Sequence, residues 1–65
     1  MNQYNYKLFD RFRTKFNDDQ IVQRYILIKI DYDCNTYSLR NVSTDQVTLE
    51  TRENLYIYYI KENNY

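Results

Sequence analysis

The chain has 65 residues and no net charge at neutral pH, with nine tyrosines but no glycine, proline, histidine or tryptophan. This length fits one small domain, which buries only about 60% of the surface that its unfolded chain exposes, so a homodimer contact or a partner is the expected source of further stability. The single cysteine, Cys34, excludes an internal disulfide, and the lack of histidine and of further thiols excludes the usual zinc sites.

Residues 3–16 are predicted to form a helix. Its apolar residues fall on one side at helical spacing, namely Leu8, Phe9, Phe12 and Phe16. We expect this stripe to pack on a sheet. A basic row follows another side of the same helix: Lys7, Arg11 and Lys15.

Residues 21–32 are predicted to form the central strand. Its even positions from Val22 to Ile30 are mostly aliphatic and are expected to face the core. Its odd positions are mixed, and we expect them either to be covered by the segment Leu55–Ile60 or to be offered to a partner. Two shorter strands follow at 36–42 and 47–51. Without glycine, the turns are built from polar residues, and Asn35 is suited to a positive φ.

The segment Leu55–Ile60 fits two structures. Its sequence LYIYYI has high β propensity. The preceding Thr51-Arg52-Glu53-Asn54 is typical of a helix start, and we favour a short helix over 52–61 above a fourth strand. The predicted fold class is therefore α+β, with the N-terminal helix packed on a three- to four-stranded antiparallel meander and a short C-terminal helix as the favoured last element.

The residues needed for most catalytic and metal sites are missing. Since there is no histidine, no glycine-rich phosphate loop and no recognisable nucleophile, we predict neither an enzyme nor a cofactor. Asp31, Asp33 and Asn35 match the start of a calcium loop, but Thr36 replaces its glycine and Val42 its closing glutamate, so we predict a plain hairpin turn and no metal. An unpaired thiol without a long apolar run predicts a cytoplasmic protein with no signal peptide and no membrane span.

Aromatic residues near the C-terminus predict a protein-binding site. Exposed tyrosine with flanking arginine is typical of interface cores, and so small a core does not hold every tyrosine. The predicted contact residues are Tyr56, Tyr58, Tyr59 and Tyr65, with Arg52 as an ionic neighbour. A homodimer would bury them and would also add stability.

Nucleic-acid binding by the basic N-terminal helix is the alternative function. The first 16 residues contain four basic residues and one acidic residue. The phosphate contacts would be made by Lys7, Arg11, Arg13 and Lys15. Tyr25 and Tyr37 would stack bases if they lie on one face of the sheet. The pI near 6.1 is low for such a domain, so protein binding is preferred.

The segment Tyr37–Ile60, YSLRNVSTDQVTLETRENLYIYYI, is similar to a pattern in small proteins of bacteriophages and mobile elements. The pattern has a Tyr-x-Leu-x-Asn strand, a Thr/Asp turn, a Val-x-Leu strand and a segment rich in Leu and Tyr. That group includes accessory proteins that bind and block host machinery or defence systems. The resemblance implies an anti-defence inhibitor that acts in the host cytoplasm by occlusion of a host protein, and it implies no catalytic residue.

Overall fold

The computed structural model describes residues 6–15 and 23–62. The elements in chain order are β1 (Arg11–Thr14), β2 (Arg24–Asp31), β3 (Thr36–Asn41), β4 (Val47–Thr51), α1 (Arg52–Tyr58) and β5 (Tyr59–Glu62). The five strands form one curled antiparallel sheet in the order β4-β3-β2-β1-β5. The predicted fold class, an N-terminal helix on a meander, is wrong, because β1 occupies the place of that helix and lies inside the sheet.

The chain from Lys7 to Asp10 is a tight turn. The Lys7 amide donates to Asp10 Oδ2 at 2.8 Å, and the Asp10 amide donates to the Lys7 carbonyl at 3.1 Å. Phe9 has a φ of 72° here, a left-handed value that interrupts a right-handed helix. Leu8 and Phe9 are 48% and 70% exposed, whereas Phe12 is 1% exposed. The prediction that these residues form one apolar side of a helix is therefore wrong.

Strand pairing on both sides explains why β1 is not helical. Phe12 lies opposite Tyr25 of β2 and opposite Lys61 of β5. Two hydrogen-bonded neighbours and the burial of Phe12 outweigh a local helix preference, since propensity is weaker than tertiary context. The sequence RFRT also contains only one apolar residue, so it shows no repeated alternation that would indicate a strand. Phe16, the last member of the predicted stripe, lies outside the described residues.

A β-bulge at Ile28 changes the register of β2. Leu27 lies opposite Leu39, and Lys29 lies opposite Ser38. Ile28 is therefore an additional residue on β2, with no partner on β3. One additional residue moves every later side chain of the strand to the other face of the sheet.

The bulge decides which residues of β2 reach the core. Tyr25 and Leu27 face inward before the bulge, and Ile30 packs against the same core after it. Ile28 is 37% exposed, whereas Leu27 is fully buried. The prediction that the even positions from Val22 to Ile30 face the core is therefore wrong at Arg24, Ile26 and Ile28 and correct at Ile30, whereas Val22 lies outside the described residues.

The helix α1 covers the inner face of the sheet between its two edge strands. Thr51 caps it, since its side chain accepts from the Asn54 amide at 3.2 Å. Among residues 6–15 and 23–62, the buried core consists of Phe12, Leu27, Tyr37, Leu39 and Leu55. Leu55 is the contribution of α1 to this core. The segment 55–60 combines both predicted alternatives, because the helix ends at Tyr58 and a strand begins at Tyr59.

A carboxylate of β4 links α1 and β5. Glu50 Oε2 accepts from the Tyr59 hydroxyl at 2.9 Å, and Glu50 Oε1 accepts from Asn54 Nδ2 at 3.3 Å. The Tyr59 ring packs edge-on against Tyr25, with 5.4 Å between the ring centroids. Glu50 thus connects the two edge strands, which do not pair with each other.

The hairpins turn without glycine. Asn35 and Asp45 have φ values of 54° and 63°, and Asn and Asp tolerate this left-handed region better than most residues. The expectation for Asn35 is confirmed. Asp31 Oδ1 accepts from the amides of Asp33 and Cys34 at 3.1 and 3.2 Å. The carboxylate therefore supports the turn, which agrees with the interpretation of this motif as a plain hairpin.

We expect Asn41→Ala to lower the free energy of unfolding by about 1 kcal/mol. Asn41 Oδ1 accepts from the amides of Ser43 and Thr44 at 2.8 and 3.1 Å, and Asn41 Nδ2 donates to Gln23 Oε1 at 3.0 Å. The loss stays small because Ser43 and Thr44 are exposed and water can replace the acceptor. Asn41→Asp is the matched control, since it keeps both acceptor contacts. Urea denaturation measures the difference, and equal midpoints for the wild type and Asn41→Ala would contradict the expectation.

Candidate functional site

Four of the chain's five arginines lie on the outer face of the sheet. The region, here named the arginine face, consists of Arg11, Arg13, Arg24, Ile26, Arg40 and Val42. Directly opposite residues on paired strands share a face of the sheet. Arg11 lies opposite Ile26, and Ile26 lies opposite Arg40. Two guanidinium groups therefore flank one aliphatic side chain.

The alternation of each strand turns these arginines outward. In β1, the buried Phe12 lies between Arg11 and Arg13. In β3, Arg40 likewise lies between two buried residues. The β1–β2 register then brings Arg24 opposite Arg13. The arginine face thus brings together arginines that are up to 29 positions apart in the chain, from Arg11 to Arg40.

Glu62 of β5 offsets part of this positive charge. Like charges on directly opposite strand residues destabilise a sheet, and Arg13 and Arg24 form such a pair. Glu62 carboxylate oxygens lie 3.7 Å from Arg13 Nε and 3.5 Å from Arg24 Nε. The Glu62 side chain is only 15% exposed, so it forms part of the sheet surface beneath the two guanidinium groups.

The arginine face nevertheless remains positive. Arg40 Nη1 and Asp45 Oδ1 form an ion pair at 2.7 Å, but the Asp45 side chain is 77% exposed. Among residues 6–15 and 23–62, no carboxylate lies within ion-pair distance of Arg11. Four guanidinium groups against two carboxylates leave an excess of positive charge here, although the whole chain is neutral.

A shallow groove of about 250 Å³ crosses the arginine face. It is lined by Arg11, Arg24, Tyr25, Ile26, Val42 and Glu62. Val42 is 50% exposed and provides an apolar wall. A guanidinium group binds a carboxylate through two parallel hydrogen bonds, and its stem packs on apolar surface. The groove can therefore accept an acidic side chain together with an apolar neighbour.

The basic residues predicted for nucleic-acid binding lie on separate surfaces. Arg11 and Arg13 belong to the arginine face, whereas Lys7 lies in the turn before β1. Lys15 Nζ lies 5.8 Å from the centroid of the Tyr56 ring and donates to the Tyr56 carbonyl at 3.4 Å. The predicted single row along a helix is therefore wrong, since that helix does not exist.

The tyrosines considered for base stacking belong to the core. Tyr37 is 4% exposed, and its ring centroid lies 5.8 Å from that of Tyr6. Tyr25 packs against Tyr59 on the same inner side. Both rings therefore pack against other aromatic rings of the core, although Tyr25 also contributes to the lining of the groove.

The predicted protein-binding residues are also separated. Tyr56 and Tyr58 are 42% and 51% exposed on α1. A second groove, of about 460 Å³, is lined by Arg52, Glu53, Tyr56 and Ile57. Tyr59 faces the core, with its hydroxyl on Glu50, and Tyr65 lies outside the described residues. The assignment of Tyr56, Tyr58 and Arg52 to a partner interface stays a prediction.

Sequence reasoning missed Arg24 and Arg40 as candidate site residues. Arg40 alternates with Leu39 and Asn41 in a predicted strand, which already indicated an outward side chain. Its proximity to Arg11 follows only from the pairing of β1 with β2. The predicted N-terminal helix excluded that pairing, so the cluster was not recognisable.

Comparison with known proteins gives no relative for this chain, because no family model, no curated protein and no solved structure matches it. The described ranges contain no helix with the length and hydropathy that crossing a membrane requires. In the same ranges, no three His, Cys, Asp or Glu side chains come together as a metal site would need. What the molecule offers to a partner is therefore inferred from the chemistry of its surfaces.

Proposed function

We propose that this chain is a non-enzymatic module that binds a partner protein in the cytoplasm and blocks it by occlusion through the arginine face. The supporting observation is the cluster of four arginines around exposed aliphatic side chains on one sheet face. Arginine is enriched in protein interfaces, where its fork recognises carboxylates and its stem packs on apolar surface. The complementary partner has an acidic surface with an apolar centre.

The resemblance of Tyr37–Ile60 to small bacteriophage and mobile-element proteins favours an inhibitor of a host protein. Proteins of that group bind and block host machinery or defence systems. A chain of 65 residues without recognisable catalytic groups would inhibit the host protein by covering part of its surface. In this proposal Tyr56 and Tyr58 on α1 form a second contact region, on the side of the sheet opposite the arginine face.

Nucleic-acid binding is the second candidate function, favoured by the excess positive charge of the arginine face. Guanidinium groups that bind carboxylates also bind phosphates. Because Tyr25 and Tyr37 pack inside, this mode would depend on phosphate contacts, and affinity would fall steeply with added salt.

We expect the double variant Arg11→Gln, Arg24→Gln to weaken partner binding at least about tenfold, since arginines at interface centres often contribute a tenfold factor or more each. The matched control Lys7→Gln, Lys61→Gln removes the same charge outside the arginine face and away from Tyr56 and Tyr58. Partner proteins are captured from a nuclease-treated bacterial lysate, and the dissociation constant of the purified pair is then measured by calorimetry. Circular dichroism checks that both variants fold.

Equal effects of the two double variants would contradict the assignment of the arginine face. Fluorescence anisotropy with labelled duplex DNA, single-stranded DNA and RNA at low salt tests the second candidate. Nucleic-acid binding that depends on Arg11 and Arg24, without a captured protein, would overturn protein binding in favour of that candidate.

A further inference from the structure

The edge strand β4 exposes apolar side chains on the outer face of the sheet. Val47 and Leu49 are 54% and 65% exposed. We infer that β4 pairs antiparallel with β4 of a second copy of this chain, so that the sheet continues across a two-fold axis. This interface borders the arginine face, since Val47 lies opposite Arg40, but it does not depend on the function of that face.

The backbone groups of β4 that face outward follow from the hydrogen-bond pattern. The Asn41 amide donates to the Gln46 carbonyl at 2.8 Å, which marks a hydrogen-bonded pair in the β3–β4 hairpin. Bonded and non-bonded pairs alternate along an antiparallel ladder. The bonded pairs of β4 with β3 therefore fall at Thr48 and Glu50. The remaining residues of β4 turn their amides and carbonyls to the open edge: Val47, Leu49 and Thr51.

The two edges of the sheet differ in charge. The β5 edge carries Lys61, which forms an ion pair with Asp10 in the turn before β1, and Glu62, which forms ion pairs with Arg13 and Arg24. Charged side chains on an edge strand oppose pairing with another chain. The residues that β4 presents to its edge carry no charge. An apolar edge without such protection is suited to pairing.

Avoidance of like-charge repulsion selects one register for the pairing of β4 with β4 of a second copy. With Leu49 opposite Leu49 of the second copy, Glu50 lies opposite Thr48 and Val47 lies opposite Thr51. All five residues of β4 are then paired, and no like charges face each other. A shift by two residues in one direction places Glu50 opposite Glu50, which is repulsive. The opposite shift leaves Thr51 without a partner in β4.

The arginine faces of the two copies do not oppose this arrangement. Arg40 lies on β3, so three strand spacings of about 4.8 Å, or about 14 Å in total, separate Arg40 of the two copies. This distance exceeds the screening length of about 8 Å at physiological salt. Arg40 is also paired with Asp45. The dimer thus leaves both arginine faces open to further partners.

Sedimentation velocity across a range of protein concentrations tests this dimer. The wild type is expected to shift from monomer to dimer, and Leu49→Lys is expected to raise the dimer dissociation constant at least about tenfold, because two lysines would face each other at the two-fold axis. Val42→Lys is the matched control, since Val42 is 50% exposed but lies away from the β4 edge. A wild type that stays monomeric, or equal effects of the two substitutions, would overturn the inference.

A cross-link tests the register independently of affinity. In a Cys34→Ser background, Leu49→Cys is expected to form a covalent dimer on mild oxidation, because bonded pairs have Cα atoms about 5.5 Å apart, within disulfide range. Thr44→Cys, in the exposed β3–β4 turn, is the control that should remain monomeric. Equal cross-linking at both positions would contradict the register.

Discussion

Leu55→Ala is expected to leave most molecules unfolded at 25 °C. Leu55 is fully buried and is the only buried residue of α1. A helix of seven residues has little stability of its own, so its position on the sheet depends on this side chain. Leucine-to-alanine replacements in a core cost about 2–5 kcal/mol, and a core of this size supplies about 3–5 kcal/mol in total. Far-ultraviolet circular dichroism and urea denaturation measure the effect.

Ile57→Ala is the matched control for this substitution. Ile57 lies on the same helix but is 47% exposed, so its truncation leaves little cavity. We expect a change of about 0.5 kcal/mol, as for most surface substitutions. If Leu55→Ala retained the urea midpoint of the wild type, the sheet would be stable without the anchored helix.

The stability of the protein is expected to fall above about pH 10, and Tyr59→Phe is expected to remove most of that fall. Burial of Tyr59, and then its hydrogen bond to the negative Glu50 carboxylate, raise its pKa above the ordinary tyrosine value of about 10. A group with a raised folded-state pKa stabilises the fold fully below its unfolded pKa. As the pH rises above that value, the unfolded chain releases the Tyr59 proton while the folded chain retains it, so the free energy of unfolding decreases.

Urea denaturation at intervals from pH 8 to pH 11.5 measures this dependence. Tyr59→Phe also removes the hydrogen bond to Glu50, so its stability at pH 8 is expected to be about 1 kcal/mol lower than that of the wild type. Tyr32→Phe is the control, because Tyr32 is 77% exposed and its hydroxyl stays in solvent in both states. A Tyr59→Phe profile as steep as that of the wild type would show that another group is responsible.

Local features of the chain were predictable where neighbouring residues determine them. The strand at 47–51, the helix start at Thr51 and the positive φ of Asn35 all depend on side chains within a few positions. The candidate site was predictable only in part. Arg11 and Arg13 were recognised as basic residues, but they were assigned to a helix, and their neighbours on the arginine face were not found.

The sequence by itself determined a small single chain with glycine-free turns, an antiparallel hairpin region and an aromatic C-terminal segment. Only the tertiary structure decided that Phe12 lies in a strand, because β1 gains its stability from pairing with two distant strands. It also decided the inward side of β2, because the bulge at Ile28 reverses the alternation. The arginine face follows from the pairing of β2 with β1 and β3, since cross-strand register brings distant residues together and no local pattern contains that information.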